Sequence, residues 1–270
     1  MRRLLAAGIP VRPVVRDPAR WAVARPPRED LLAEAEIADL DDTQALRAAL
    51  SGATRIVSTA HARTTEKLLA AAPAGARLVL LGSTRRFTRW PDAHGNGVIA
   101  GEAALRASGR PGVMLHPTMI YGAEGEDNVQ RLAALLRRLP VVPLPGGGRA
   151  LVQPIHQDDV SRAILAALDI DWTAPMALVV AGPAPLAYAD FVRAVAAAAG
   201  LRPPRIVPVP MGVLLALAPL AARVPGLPRV SVDELRRLGE DRAFDVSPML
   251  GTLGVQPISL AEGLARTFAR

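Results

Sequence analysis

Residues 77–122 read RLVLLGSTRRFTRWPDAHGNGVIAGEAALRASGRPGVMLHPTMIYG, and this stretch decides the fold. Arg77 to Leu81 is a short apolar run closed by Gly82-Ser83-Thr84, which predicts a buried parallel strand whose carboxyl end opens into a site. A polar, glycine-bearing loop follows over 85–97. Val98 to Ser108 then carries apolar residues at helical spacing and stops at Gly109, predicting a helix. Val113 to Leu115 predicts a second buried strand, ending in the polar turn His116-Pro117-Thr118. In an open parallel sheet, ligands bind outside the carboxyl ends of the strands, where side chains and free backbone groups converge. Ser83, Thr84, Pro117 and Thr118 are expected there.

Outward from this unit the alternation continues. Upstream, short strands are predicted at Val11–Val15, Glu36–Ala38 and Arg55–Ser58, with helices over Asp42–Leu50 and Thr64–Ala72. Asp41 and Gln44 are spaced as a capping box for the first of these helices. Pro13 lacks the donor that a ladder needs, which places its strand at an edge or at a non-bonding position. Met1 to Gly8 reads as the end of a helix. Strands separated by helices of this length imply right-handed crossovers and a doubly wound parallel α/β sheet.

Downstream the pattern changes: a helix over Asn128–Leu139, a Pro/Gly-rich loop over Val141–Arg149, and a helix starting at Asp158 or Asp159. A strand at Met176–Val180 and a helix at Tyr188–Ala199 follow, then a short strand from Arg205. Helices are predicted at Met211–Val224, Ser231–Gly239 and Leu260–Phe268, the last with Ser259 and Glu262 as a capping box. We expect a core of residues 1–122, joined by 151–182, and a small C-terminal α/β lobe of residues 123–150 and 183–270.

Composition narrows the functional classes. Half of the 270 residues are hydrophobic, which excludes disorder as the ground state. The formal net charge of +7 is almost all arginine, Lys67 being the sole lysine. These arginines are scattered and only 3% of residues are aromatic, so a solvated surface is favoured over a nucleic-acid face. The chain has no cysteine, and its four histidines form no metal-spaced cluster. No signal peptide is evident, and Met211–Val224 is too short to span a bilayer, so a cytoplasmic protein is expected. That helix is apolar almost all round, which fits burial in the lobe first and a peripheral contact with lipid or a partner second.

The segments GIPVRPVVRDPAR, ADLDD, LVLLGST, GEAALRASG, LHPTMIYG, PLPGGGRALVQPIHQDDVSRAI and AGPAPLAYADFVRAVAAAAG occur in an order that resembles one family. This is the extended and atypical short-chain dehydrogenase/reductase group, in its NAD(P)-dependent epimerase/dehydratase-like branch. NmrA-like regulators and the dinucleotide-binding accessory subunit of respiratory complex I are relatives. The resemblance implies a Rossmann-type sheet binding NAD or NADP and a lobe covering a small-molecule substrate, a sugar nucleotide or a lipophilic compound. It implies that Arg16 and Asp17 meet the adenosine ribose, with Arg16 leaning the choice to NADP and an acidic residue favouring NAD. Asp39 and Leu40 would flank the adenine, Thr59 and Ala60 the diphosphate side, and Pro117, Thr118, Met119 and Ile120 the nicotinamide. Ser83 or Thr84 would hold the family's hydroxyl position. Asn128, Arg149, Gln153 and His156 would be the polar candidates for substrate contact.

Three departures qualify that picture. The family's first strand and its G-x-x-G-x-x-G turn do not occur, because Met1 falls inside the helix that follows them. We expect either a start further upstream or a Val11 strand that shifts to pair directly with Arg55–Ser58. The family's Tyr-x-x-x-Lys pair falls on His94 and Val98, leaving His94 as the candidate proton carrier. Finally, His116 stands where relatives carry Arg. The expected function is an NAD(P)-binding protein with a degenerate catalytic site, an oxidoreductase or epimerase; the alternative is a non-catalytic sensor or accessory subunit.

Overall fold

Strands buried on both faces read as near-continuous apolar runs, and the central strands here do so. Leu78, Val79, Val113, Met114 and Leu115 are each 0% exposed. A computed structural model describes residues 1–26, 30–123, 128–221 and 232–269. The chain begins with α1 (Arg2–Ala6), β1 (Val14–Val15), α2 (Pro18–Ala24), β2 (Glu36–Ile37), α3 (Thr43–Ala49) and β3 (Arg55–Ser58). It continues through α4 (Thr65–Ala71), β4 (Arg77–Leu81), α5 (Ala93–Ala107), β5 (Gly112–Pro117), β6 (Ile120–Tyr121) and α6 (Asn128–Leu136). Next come β7 (Val141–Pro145), β8 (Leu151–Val152), β9 (Ile155–His156), α7 (Gln157–Asp169), β10 (Pro175–Val180), β11 (Leu186–Ala187) and α8 (Tyr188–Ala198). The last elements are β12 (Arg205–Val209), α9 (Met211–Ala221), α10 (Val232–Arg237), α11 (Ser247–Leu253) and α12 (Leu260–Phe268).

Contacts divide the chain into two units: Met1–Ser83, Asn96–His116 and Ser161–Leu178 in the first, Thr84–Gly95, Pro117–Val160 and Val179–Arg270 in the second. In the first, a four-stranded sheet runs in the order β10-β5-β4-β3. The β3–β4 and β4–β5 pairs are parallel, with Val57 opposite Val79 and Val79 opposite Val113. Leu46, Leu68, Leu78, Leu80, Val98, Leu105 and Met114 form its core with Ile56, each fully buried side chain contributing about 1.5–3 kcal/mol. Helix α5 packs closely because of its glycines. A Cβ on Gly101 would stand 2.0 Å from the Ala62 carbonyl oxygen.

β1 and β2 form a separate parallel pair, Val14 opposite Glu36 and Val15 opposite Ile37, extended by a bridge from Val11 to Leu32. Pro13 sits here as an acceptor only, taking the Glu36 N–H at 2.9 Å. β1 has not shifted to join β3, so the direct pairing allowed by the sequence does not occur.

In the second unit β6 pairs with β9 in parallel, β8 with β11 antiparallel, and β7 with β12 in parallel. Tyr121, Val129, Ala133, Phe191, Val195 and Leu264 fill one core. Leu136, Val142, Leu144, Ala189, Val192 and Ala196 fill another.

Four local expectations are corrected. The Pro/Gly-rich stretch from Val141 is a strand through Pro145; its prolines are tolerated because the sheet has only one partner strand, and three glycines at positive φ, Gly146, Gly147 and Gly148, make the turn after it. The loop 85–97 contains a 3-10 turn over Thr84–Phe87 and the first turn of α5. Helix α3 is capped by Asp42, which accepts the Gln44 and Ala45 N–H groups, and not by Asp41. On α9, Met211, Leu214 and Leu215 are only half-buried and Gly212, Val213 and Ala216 are exposed, against the expectation of burial. The predicted helical residues 222–224 and 231 lie outside the described residues. Among the described residues no helix is long and apolar enough to cross a membrane.

Candidate functional site

The carboxyl ends of β1, β2 and β3 open on a cleft of about 1900 Å³ lined by residues between Met1 and Leu68. It brings together Arg16, Asp39, Leu40, Thr59 and Ala60, five residues drawn from three strand ends. The cleft separates the backbone of 11–16 from that of 54–60, so the two strands leave a groove between them. Asp17 is outside the cleft lining; its carboxylate caps α2 by accepting the Arg20 N–H at 3.0 Å. Asp39 accepts the Asp41 N–H at 2.9 Å, which fixes the turn after β2.

Cationic groups gather on this cleft. Lys67 Nζ lies 2.5 Å from Asp41 Oδ1, and that hydrogen bond and charge, with Arg63 and Arg16 further off, hold the Asp41 carboxyl below its ordinary value. His61 turns its Nδ1 inward to accept the Arg63 N–H at 3.1 Å. Burial, then the Arg63 guanidinium, holds its imidazole below the usual histidine range, so it is neutral at pH 7. Its ring lies against α5, where a Cβ on Gly97 would stand 2.8 Å from Cε1. His61, Arg63 and Lys67 were not singled out from the sequence. The available signal was their place, at a strand end and on the first turns after it.

At the ends of β4 and β5 the polar groups are engaged by the protein. The Ser83 N–H donates to His116 Nδ1 at 3.1 Å, which leaves that nitrogen unprotonated, and His116 Nε2 lies 2.8 Å from Glu102 Oε2 with both side chains buried. Glu102 also meets Arg106 at 2.7 Å. The His116 ring takes the space that a side chain at 82 would fill: a Cβ there would stand 2.3 Å from Nδ1. The buried Thr84 hydroxyl donates to the Pro117 carbonyl at 3.2 Å. Thr118 differs. It is 7% exposed, and its hydroxyl has no hydrogen-bond partner among the described residues. A buried hydroxyl left unmade costs about 1–3 kcal/mol, so this one suits a ligand group or a water. Met119 and Ile120 follow it, and the Met119 carbonyl accepts the Ile155 N–H at 3.0 Å.

His94 is exposed on the first turn of α5, whereas Val98 is buried in the core. The two positions of the expected proton-transfer pair thus hold a solvent-facing imidazole and a core side chain. The candidate substrate residues are tied differently. Asn128 Nδ2 donates to the Ile120 carbonyl at 2.5 Å and its Oδ1 accepts the Val129 N–H at 2.7 Å. Both ends of the Gln153 amide are held by backbone, donating to the Gly182 carbonyl and accepting the Phe244 N–H, each at 2.8 Å. His156 Nδ1 accepts the Asp158 N–H at 3.2 Å at the start of α7, and its ring meets Tyr121 edge-on at 5.3 Å. Arg149 is exposed. Tyr121, one of two tyrosines in the chain, is buried, and that burial together with Asp159 pushes its phenol well above its ordinary value. Its phenol therefore stays protonated at neutral pH.

No protein-family model matches the sequence, and no curated protein matches it. Solved structures do. WbmG of Bordetella bronchiseptica, in complex with NAD and UDP, covers 99% of this chain and 87% of its own at TM-score 0.73 and 13% identity. UDP-glucuronic acid 4-epimerase of Bacillus cereus, in complex with UDP-glucuronic acid and NAD, covers 99% and 92% at TM-score 0.70 and 14% identity. A short-chain dehydrogenase/reductase superfamily protein of Agrobacterium tumefaciens with bound NAD covers 99% and 91% at TM-score 0.67 and 17% identity. Across its length this chain has the Rossmann-type α/β fold of the short-chain dehydrogenase/reductase superfamily and of the sugar-nucleotide epimerases built on it.

Proposed function

We propose that this chain is a nicotinamide-dinucleotide-binding protein of the epimerase/dehydratase-like short-chain dehydrogenase/reductase group, and that its substrate is a sugar nucleotide. The observation that carries this reading is the convergence of Arg16, Asp39, Leu40, Thr59 and Ala60 on one cleft at strand carboxyl ends. These residues suit the adenosine half: a cation at the ribose, a carboxylate and an apolar side chain at the purine, a hydroxyl towards the phosphates. By the resemblance, the nicotinamide falls to Pro117–Ile120, where the buried Thr118 hydroxyl has no partner among the described residues. A bound nicotinamide supplies the hydride acceptor or donor; the protein supplies position and electrostatics. The neighbours that hold NAD, two of them with UDP or a UDP-sugar, support this cofactor and substrate class.

A second reading, a non-catalytic sensor or accessory subunit, is favoured by one specific observation. The expected Tyr and Lys positions hold exposed His94 and buried Val98, and the sole lysine is paired to Asp41 on the cleft. Turnover therefore depends on a group other than a lysine-activated phenol.

Calorimetric titration with NADH and NADPH tests the binding claim, on the chain as it stands and with a strand and G-x-x-G-x-x-G turn joined ahead of α1. Binding in the lengthened form supports it, and no heat from either cofactor at millimolar concentration in both forms defeats it. Arg16→Ala sharpens the cofactor choice: about a tenfold loss for NADPH with NADH unchanged identifies the 2′-phosphate contact. Slow UDP-sugar turnover in the presence of cofactor separates the enzyme from the sensor.

A further inference from the structure

An eleven-residue helix of sequence MGVLLALAPLA, α9, carries no ionisable or hydrogen-bonding side chain. A helix that is apolar on every side needs cover on every side, yet none of Met211–Ala216 is buried, and Val213 is 46% exposed. It is about 16 Å long, too short to span a bilayer. α10 packs beside it, with Gly239 just beyond α10 close enough that a Cβ there would stand 3.0 Å from Met211 Cε. From α10, Arg236 lies 4.9 Å over the exposed ring of Trp90.

Trp90 belongs to the segment Thr84-Arg85-Arg86-Phe87-Thr88-Arg89-Trp90-Pro91, which carries three arginines and no acid. Aromatic residues make up 3% of this chain, yet two lie here on the surface, Phe87 at 48% and Trp90 at 42% exposure. Arg86 stacks on Phe87 at 4.6 Å. The segment is fastened from beneath. Glu240 accepts the Arg89 N–H at 2.7 Å and the Thr88 hydroxyl at 2.9 Å, and Asp92 meets Arg85 at 2.7 Å and Arg237 at 2.8 Å. Phe87 meets Phe244 at 5.6 Å yet stays half exposed, and Arg89 and Trp90 are exposed too; the segment is joined to the apolar helix through α10, by Arg236 on Trp90 and by the packing of α10 on α9.

We propose that this face, made of the α9 residues around Val213 together with Phe87, Trp90, Arg86, Arg89 and Arg236, docks on the surface of an anionic lipid bilayer. The helix would lie at the acyl boundary, the tryptophan at headgroup depth, and the arginines against lipid phosphates. Arg236 is itself paired with Asp233 on α10 at 3.7 Å, so the net positive charge of the face comes from Arg86 and Arg89 in the acid-free segment; that charge selects lipid phosphates over a second copy, which would set the same arginines against one another. The featureless apolar helix likewise excludes a phosphate-backbone partner.

The test is flotation of the full chain with vesicles of phosphatidylcholine alone and of phosphatidylcholine with phosphatidylglycerol. We expect recovery with the anionic vesicles at least about tenfold above the neutral ones, falling as salt rises. Val213→Glu and Arg89→Glu should each lower it about tenfold, with unchanged circular dichroism. The proposal is overturned by no flotation with anionic vesicles, by equal recovery on both kinds, or by both variants floating like the parent. A dimer in light scattering that Val213→Glu dissolves, without vesicle binding, also overturns it and assigns the face to self-association.

Discussion

Two sets of strand ends lie in this fold, and they use their polar groups in opposite ways. At the ends of β4 and β5, the Ser83 N–H is bonded to His116, His116 is set against Glu102, and the Thr84 hydroxyl is bonded to the Pro117 carbonyl. At the ends of β1, β2 and β3, Arg16 and Thr59 line an open cleft, and Asp39 lines it while also holding the Asp41 N–H. The first set is spent on holding the backbone. In the second, Arg16 and Thr59 are available to a ligand. A hydroxyl after a strand is therefore a poor guide to a binding role until its partner is known, because turns use the same chemistry.

The contrast breaks most sharply at Gly82. Gly82→Ala would drive a methyl group into the His116 ring, 2.3 Å from Nδ1, and should cost about 3 kcal/mol. Thr59→Ala on the open side should change stability by no more than about 0.5 kcal/mol. Urea melts of the two variants measure the difference, and equal losses would erase the distinction. Next in size is His116→Leu. It removes the acceptor of the Ser83 N–H and faces buried Glu102 with an alkyl group, an expected loss of about 2 kcal/mol. His116→Gln, which can restore the acceptor, should lose less.

The basic segment between these ends and α5 adds a pH-dependent test. Burial alone would raise the Asp92 carboxyl, but the Gly95 N–H, Arg85 and Arg237 outweigh it and leave it below the ordinary aspartate value. A carboxylate whose folded pKa is depressed stabilises the protein above its unfolded value and loses that contribution as pH falls through the folded one. Asp92→Asn should therefore cost about 1–2 kcal/mol at pH 7 and progressively less below about pH 4. A constant difference across that range would remove Asp92 from the ion-pair role.

The parallel order of β3, β4 and β5 was legible because burial on both faces writes itself as unbroken apolar runs, as in Leu78 to Leu81 and Val113 to Leu115. The strand at Val141–Pro145 was not, since its prolines and the following glycines are the usual marks of a loop; only pairing with Arg205–Val209, some sixty residues away, makes it a strand. Gly95 and Gly97 hid the first turn of α5 in the same way. They are there because neighbouring atoms leave no room for a side chain: Cβ atoms would stand 2.9 Å from the Arg85 carbonyl oxygen and 2.8 Å from His61. In the cleft, Arg16, Asp39 and Thr59 could be chosen by their positions at strand ends. His61 and Lys67 lie at and just after a strand end too, but what they do there comes from reaching Asp41 and α5, and long-range contacts leave no local pattern.

Thr118 gives the finest test, because it follows a closed strand end and still carries a buried hydroxyl with no partner among the described residues. Its neighbour Pro117 accepts from Thr84, and its own N–H donates to the Val180 carbonyl at 3.0 Å, yet its buried hydroxyl has no partner among the described residues. Thr118→Val keeps the side-chain shape and deletes that hydroxyl. If the group only burdens the ligand-free protein, the variant should be more stable by about 1 kcal/mol in a urea melt, since an unmade buried hydrogen bond is removed. If the group also meets the cofactor, the same variant should bind the dinucleotide about tenfold more weakly in the lengthened form, because a hydrogen bond worth about 1.4 kcal/mol is lost. Higher stability with weaker binding is the signature of a group held ready for a ligand. Lower stability would show that the hydroxyl serves the fold, and would move Thr118 to the side of Thr84.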